Sequence, residues 1–156
     1  MTYPFDMAVE GALPGFFITG INPIANPQSV INEKPPMGLL DKIIEKKQAW
    51  DVTFNWCVGG PVADAMGPCQ WRLCVYLLRL SAPGGAILVN NPPTGTLVNY
   101  NTGTPGPDNY SVKVPIKAGA VPDGVYELHT SVDIVSGAII PVTLFGDGPT
   151  MKFYTA

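Results

Sequence analysis

Apolar and polar residues alternate most regularly between residues 50 and 58. Every second position there is apolar, at Trp50, Val52, Phe54, Trp56 and Val58. A period of two is typical of a β-strand that buries one face. Similar alternation at residues 71–77, 110–116 and 125–135 predicts further strands, which Gly and Pro residues separate as turns.

The strand predicted at residues 71–80 carries apolar residues on both faces. Its inner face holds Trp71, Leu73, Val75 and Leu77. Its outer face holds Arg72, Cys74 and Tyr76, followed by Leu78 and Leu80. Large apolar side chains on an outward face predict that this face is partly covered. We also expect the rings of Trp56 and Trp71 to lie in the core.

Residues 37–48 follow a helical spacing instead. Their apolar positions Leu39, Leu40, Ile43 and Ile44 recur at i, i+1, i+4 and i+5, which places them on one face of a helix. Pro36 precedes this stretch and lysines lie near its end, as suits a helix dipole. We therefore predict one short helix inserted near residues 37–48, which either caps an open end of the domain or docks a partner.

The first 36 residues are rich in Pro and have few strand signals. They predict an irregular N-terminal arm with one possible strand, ahead of a β-domain at residues 37–156. We expect residues 1–15 to be dispensable for the fold and the arm to lie on another subunit. Together with the predicted helix, the arm supplies the candidate interaction residues Phe16, Phe17, Ile18, Leu40 and Ile44.

Charged residues make up only 13% of the 156-residue chain, about half the usual share for soluble domains. Such a surface favours self-association or contact with another protein, while a surface of neutral polar residues is the alternative. A formal charge of −3 argues against nucleic acid, since acidic residues interrupt the basic cluster at Lys42, Lys46 and Lys47. No apolar run is long enough for membrane insertion. The absence of a signal peptide predicts a cytoplasmic protein, although a chain whose leader had been removed would read the same.

The single histidine, His129, lies on an outward strand face with Glu127, Ser131 and Asp133. Alternate residues of a strand are about 7 Å apart, too far for the direct hydrogen bond that a nucleophile and its base require. The sequence also has no phosphate-binding, dinucleotide-binding or calcium-binding motif. We therefore predict no catalytic residues, no cofactor and no enzymatic activity.

Cys57, Cys69 and Cys74, with His129, have the composition of a zinc site but not its spacing. Cys57 and Cys74 share the outer face of a predicted hairpin, with Cys69 in its loop. Packed reduced thiols are the preferred interpretation, and a disulfide or a metal site remains the alternative.

Residues Val121-Pro122-Asp123-Gly124-Val125-Tyr126-Glu127-Leu128 resemble the E–F corner of immunoglobulin and fibronectin type III domains. In those domains the corner tyrosine donates a hydrogen bond to the backbone upstream, and the resemblance assigns that role to Tyr126. Trp71 is similarly placed to their core tryptophan. Leu128 stands where immunoglobulin domains have a cysteine, so their inter-sheet disulfide is absent. The resemblance covers roughly residues 50–154. Together with the spacing of the predicted strands it favours an antiparallel immunoglobulin-like β-sandwich, and a closed β-barrel is the alternative.

These features together predict a non-enzymatic structural or protein-interaction module that is a subunit of a homo-oligomer or larger assembly. The alternative is a β-sandwich domain that binds carbohydrate or another small ligand. The candidates for a sugar site are aromatic and amide residues that flank loops: Tyr100, Tyr110, Asn90, Asn91, Asn99 and Asn101.

Overall fold

The computed structural model describes residues 2–11, 13–21, 25–32, 43–45, 48–80, 85–100, 108–136 and 139–154. Within these ranges the chain is all-β. Its strands are β1 (Thr2–Glu10), β2 (Phe17–Thr19), β3 (Gln28–Asn32), β4 (Ile43–Glu45), β5 (Trp50–Gly59), β6 (Gln70–Arg79), β7 (Ile87–Leu88), β8 (Thr96–Asn99), β9 (Asp108–Ile116), β10 (Gly124–Val135) and β11 (Ile139–Tyr154). A short 3₁₀ helix, Ala63–Met66, lies between β5 and β6. No helix in the described part of the chain is long and apolar enough to cross a membrane.

The strands pair into two halves of one open sheet, and β4 is the one described strand that pairs in parallel. In half A, β5 is flanked by β9 on one side and by β2 and β3 on the other. In half B, β10 lies between β6 and β11, while β7 and β8 pair with the far edge of β6. The predicted hairpin of β5 and β6 is wrong, because these strands belong to different halves.

Strand β1 joins the two halves. Thr2 to Asp6 pair with β3 in half A, and Met7 to Glu10 pair with β11 in half B. The prediction of an irregular arm is therefore wrong for residues 2–10, which form a strand with a neighbour on each side. The buried side chain of Met7 anchors its centre, and Pro4 is tolerated although proline cannot donate a ladder hydrogen bond.

Aromatic contacts between the two halves lie in the core. Trp56 of β5 and Trp71 of β6 are fully buried, and their rings meet edge to face with centroids 5.2 Å apart. Tyr110 stacks on Trp56 at 4.8 Å, and Tyr100 stacks on Trp71 at 5.6 Å. The prediction that both tryptophans lie in the core is confirmed.

The predicted helix at residues 37–48 is wrong where the structure describes that segment. Ile43–Glu45 form β4, whose residues pair with Lys152–Tyr154 at the end of β11. The apolar spacing matches one face of a helix, but pairing with a distant strand determines the structure of these residues. A local sequence pattern does not report such pairing. Residues 37–42 and 46–47 lie outside the described residues.

Tyr126 makes the hydrogen bond predicted for it. Its ring is buried in the core, and its hydroxyl donates to the carbonyl oxygen of Pro122 at 2.9 Å. The bond ties the start of β10 to the turn before it. Gly124 permits this turn because its φ of +155° is one that residues with a side chain rarely adopt.

Candidate interaction face

The outward side chains of half B form a continuous surface, called here the outer B face. They alternate with core residues such as Leu128 and Leu73, and the strand register brings them into rows across the sheet. The face consists of Arg72, Cys74, Tyr76, Leu78 and Leu80 on or after β6; Leu97 on β8; Val125, Glu127, His129, Ser131 and Asp133 on β10; Thr143, Phe145, Asp147 and Lys152 on β11; and Ala8 and Glu10 on β1.

Exposed apolar side chains are concentrated on the outer B face. It holds four of the seven large hydrophobic residues that are exposed in the described chain: Leu80, Leu97, Val125 and Phe145. Leu97 is 48% exposed and Phe145 is 45% exposed. Phe145 lies near the middle of the face, opposite Ser131 on β10 and Ala8 on β1. A sheet face that exposes several large apolar side chains is typical of a surface that contacts another molecule.

A charged pair borders Phe145 on this face. The Arg72 guanidinium lies 3.1 Å from the buried carboxylate of Asp133, and the hydroxyl of Thr143 donates to the same carboxylate at 2.8 Å. The hydrogen bond with Asp133 raises the pKa of Arg72, so the guanidinium stays charged. These charges are thus neutralised within the chain before any partner arrives.

His129 lies on the other side of Phe145, between two carboxylates. Its Nδ1 atom is 2.9 Å from Asp147 Oδ1, and its Nε2 atom is 3.3 Å from Glu127 Oε1. Glu127 shares the outward face of β10 with His129, as the alternation predicted, whereas Asp147 of β11 was not identified from the sequence. Asp133 is bound instead to Arg72 and Thr143, so Ser131, His129 and Asp133 are not brought together as a catalytic set.

The middle of the outer B face is closely packed. Cys74 and Ser131 are buried although they point outward. Burial, followed by a hydrogen bond with Cys74, raises the pKa of Tyr76, which keeps its hydroxyl neutral. Gly95 approaches so closely that a Cβ there would lie 2.8 Å from the Cys74 sulfur. The outer face of β6 is therefore partly covered around Cys74, as its apolar outer positions predicted.

The outer face of half A differs in chemistry. Its outward residues are mostly amides and hydroxyls that bond one another: Asn32 donates to Asp51 and Thr53, and Ser111 donates to Asn55. Phe17 is its exposed aromatic residue, 53% exposed, with its ring against Gly59 at one end. The two outer faces therefore differ in the amount of apolar surface that they offer.

The candidate interaction residues chosen from the sequence are dispersed. Phe16 and Ile18 are buried in the core, so they are not available to a partner, whereas Phe17 is exposed. Leu40 lies outside the described residues, and Ile44 is described only by its backbone in β4. Phe145 was missed, although its alternation with the buried residues Val142 and Leu144 marks the outward face of β11.

Cys57 and Cys74 point to different faces of the fold and do not form a shared site. Cys57 points to the outer face of half A and Cys74 to the outer face of half B, with the core between them. All three are buried and free. Within the described ranges, no group of three or more His, Cys, Asp or Glu residues could hold a metal ion.

Three of the residues proposed for a sugar site, Tyr100, Tyr110 and Asn90, serve the fold instead, whereas Asn91 and Asn99 are exposed. Tyr100 and Tyr110 are buried against the tryptophans. Asn90 is also buried, and its side chain accepts from the N–H of Val75 and donates to the carbonyl of Leu73, each at 2.8 Å. Strands β7 and β8 both pair with β6 but leave a gap between them. In this gap the Asn90 side-chain amide makes the hydrogen bonds to β6 that the backbone of a neighbouring strand would make. Asn101 lies outside the described residues.

We expect Asn90→Ala to lower the free energy of unfolding by about 2–4 kcal/mol, because it leaves a buried backbone donor and a buried acceptor without partners. Urea denaturation measures the loss. Asn99→Ala is the matched control, since the exposed Asn99 side chain bonds only Gln70 among the described residues and its loss is expected to cost less than about 0.5 kcal/mol. Equal effects of the two substitutions would contradict the structural role of Asn90.

No family model and no curated protein sequence matches this chain.

Proposed function

We propose that this chain is an immunoglobulin-like β-sandwich that acts as a structural, self-associating module, with the outer B face as its contact surface. The two halves would be the two layers of the sandwich, which the ring contacts between Trp56 and Trp71 and the tyrosine bond at Tyr126 support. The observation that carries the function is the concentration of exposed large apolar side chains, Phe145 among them, on one ordered sheet face.

The composition of the outer B face matches that of a protein interface. Aromatic residues and arginine are enriched at interfaces and dominate their binding energy. Here Phe145 and Tyr76 lie near Arg72, whose charge Asp133 already satisfies. Burying an ion pair is costly chiefly when a charge is left without its partner. The Arg72–Asp133 pair can therefore be covered by a neighbour without requiring a new counter-ion.

The charges at the two ends of the face favour a second copy of this chain as the neighbour. Lys152 lies beside Val125 at one end, and Glu10 lies beside Thr143 at the other. Both side chains are exposed. When two copies pack face to face with their β11 strands in opposite directions, Lys152 of each approaches Glu10 of the other, as a two-fold interface requires. The low overall charge also leaves little repulsion between copies.

The paired substitutions Phe145→Thr and Phe17→Thr test this proposal. Each replaces one exposed phenylalanine on a strand by a residue that strands accept, but only Phe145 lies on the outer B face. We expect Phe145→Thr to weaken self-association by about tenfold or more, as for a central aromatic interface residue. Sedimentation velocity over a concentration series measures this, with circular dichroism to check the fold.

Phe17→Thr is expected to leave the association unchanged. If Phe17→Thr dissociated the assembly and Phe145→Thr did not, the contact would lie on half A. That result would overturn the assignment of the outer B face as the contact surface. A monomeric wild-type chain that binds a different protein through Phe145 would keep the face and overturn self-association. The carbohydrate-binding alternative is not proposed, because its candidate rings Tyr100 and Tyr110 are buried.

A further inference from the structure

A groove lies between the edges of the two halves, away from the centre of the outer B face. One wall comes from β7, β8 and the turn between them, including Leu88, Val89 and Leu97. The other wall comes from the end of β9 and the residues after it, including Ile116 and Lys117. Its volume is about 1040 Å³, at the upper end of the range for small-molecule sites.

The groove is mostly apolar, and its uncharged polar residues are already engaged. Asn90 bonds the backbone of β6 and the hydroxyl of Thr96. The amide of Asn91 bonds the carbonyl of Gly95 within its own turn. These groups stabilise the wall, and their bonding capacity is largely used within the chain.

Lys117 is the charged residue among those that line the groove. It is exposed and has no ion pair within the described part of the chain. A positive charge beside an apolar groove is complementary to an elongated apolar molecule with one negative group. Among the apolar ligands that fit between these walls, the positive charge of Lys117 therefore favours those that carry a negative group.

We propose that this groove binds an anionic amphiphile of the fatty-acid class, with the alkyl chain against Leu88, Pro92 and Pro115, which are at least partly exposed along the groove, and the carboxylate at Lys117. The carboxylate would accept a charge-assisted hydrogen bond from the Lys117 ammonium group. The alkyl chain would displace water from apolar walls, so affinity rises about three- to fourfold with each added methylene group.

Calorimetric titration of the full-length chain with dodecanoate, decanoate, dodecanol and dodecylammonium, each below its micellar concentration, tests the site. We expect saturable binding of dodecanoate, about tenfold weaker binding of decanoate, and weaker binding of both dodecanol and dodecylammonium. Lys117→Gln is expected to weaken dodecanoate binding by about tenfold while leaving dodecanol unchanged. Lys117→Glu is expected to reverse the preference, so that dodecylammonium binds more tightly than dodecanoate.

Lys113→Gln is the matched control, because Lys113 lies on β9 four residues before Lys117 but pairs with Asp51 on the outer face of half A. It should not change the affinity for dodecanoate. An absence of saturable binding, equal affinity for dodecanoate and dodecylammonium, or equal effects of the Lys113 and Lys117 substitutions would each overturn the proposal. Circular dichroism and sedimentation of each variant separate loss of binding from loss of fold or of self-association.

Discussion

A chain that lacks residues 2–10 is expected not to fold. These residues form β1, which pairs with β3 through Thr2 to Asp6 and with β11 through Met7 to Glu10. Their removal leaves both neighbouring strands with an open edge and empties the space of the buried Met7 side chain. Loss of one buried methionine side chain alone costs about 2–5 kcal/mol, and a domain has only about 5–15 kcal/mol of stability to lose.

Thermal unfolding followed by circular dichroism measures the effect of this deletion. The variant should show no cooperative transition, whereas Val9→Thr, at an exposed position of the same strand, should unfold within a few degrees of the full chain. A deletion variant that retained the cooperative transition would restore the expectation of a dispensable N-terminal arm.

We expect Trp56→Ala and Trp71→Ala each to lower the free energy of unfolding by about 3–5 kcal/mol. Both rings are fully buried, and each is stacked with a buried tyrosine. Neither indole N–H has a hydrogen-bond partner among the described residues. The loss therefore arises from the cavity and from the missing ring contacts between the two halves rather than from a broken hydrogen bond.

Urea denaturation with linear extrapolation gives these values. The exposed ring of Phe17 is the control, since its removal in Phe17→Thr should cost about 1 kcal/mol at most. A loss below about 1 kcal/mol for both tryptophan variants would show that these rings do not hold the two halves together.

The residues at 50–58 show how much of this fold a sequence can predict. Their alternation predicts β5 to within one residue, because burial of one strand face imposes a period of two. The bond from Tyr126 to Pro122 was also predictable, since it is made within a few residues of the chain. Signals that depend on one strand or one turn are readable from the sequence.

Pairing between distant strands was not readable in the same way. Phe5, Met7 and Val9 alternate as a strand, but Pro4 and the nearby glycines suggested an irregular segment, and only pairing with β3 and β11 makes it regular. Ile43 and Ile44 have the spacing of a helix face, yet they pair with the end of β11. Only part of the outer B face could be predicted from the sequence. The outward side chains that lie next to one another on this face depend on which strands are neighbours in the sheet.

Self-association through the outer B face is tested most directly by the mass of the unmodified full-length chain in solution. Sedimentation equilibrium at tens of micromolar should give at least twice the 16.6 kDa of one chain. That mass should fall toward the monomer value in Phe145→Thr and stay unchanged in Phe17→Thr. A mass of 16.6 kDa for the unmodified chain at that concentration would contradict the proposed function.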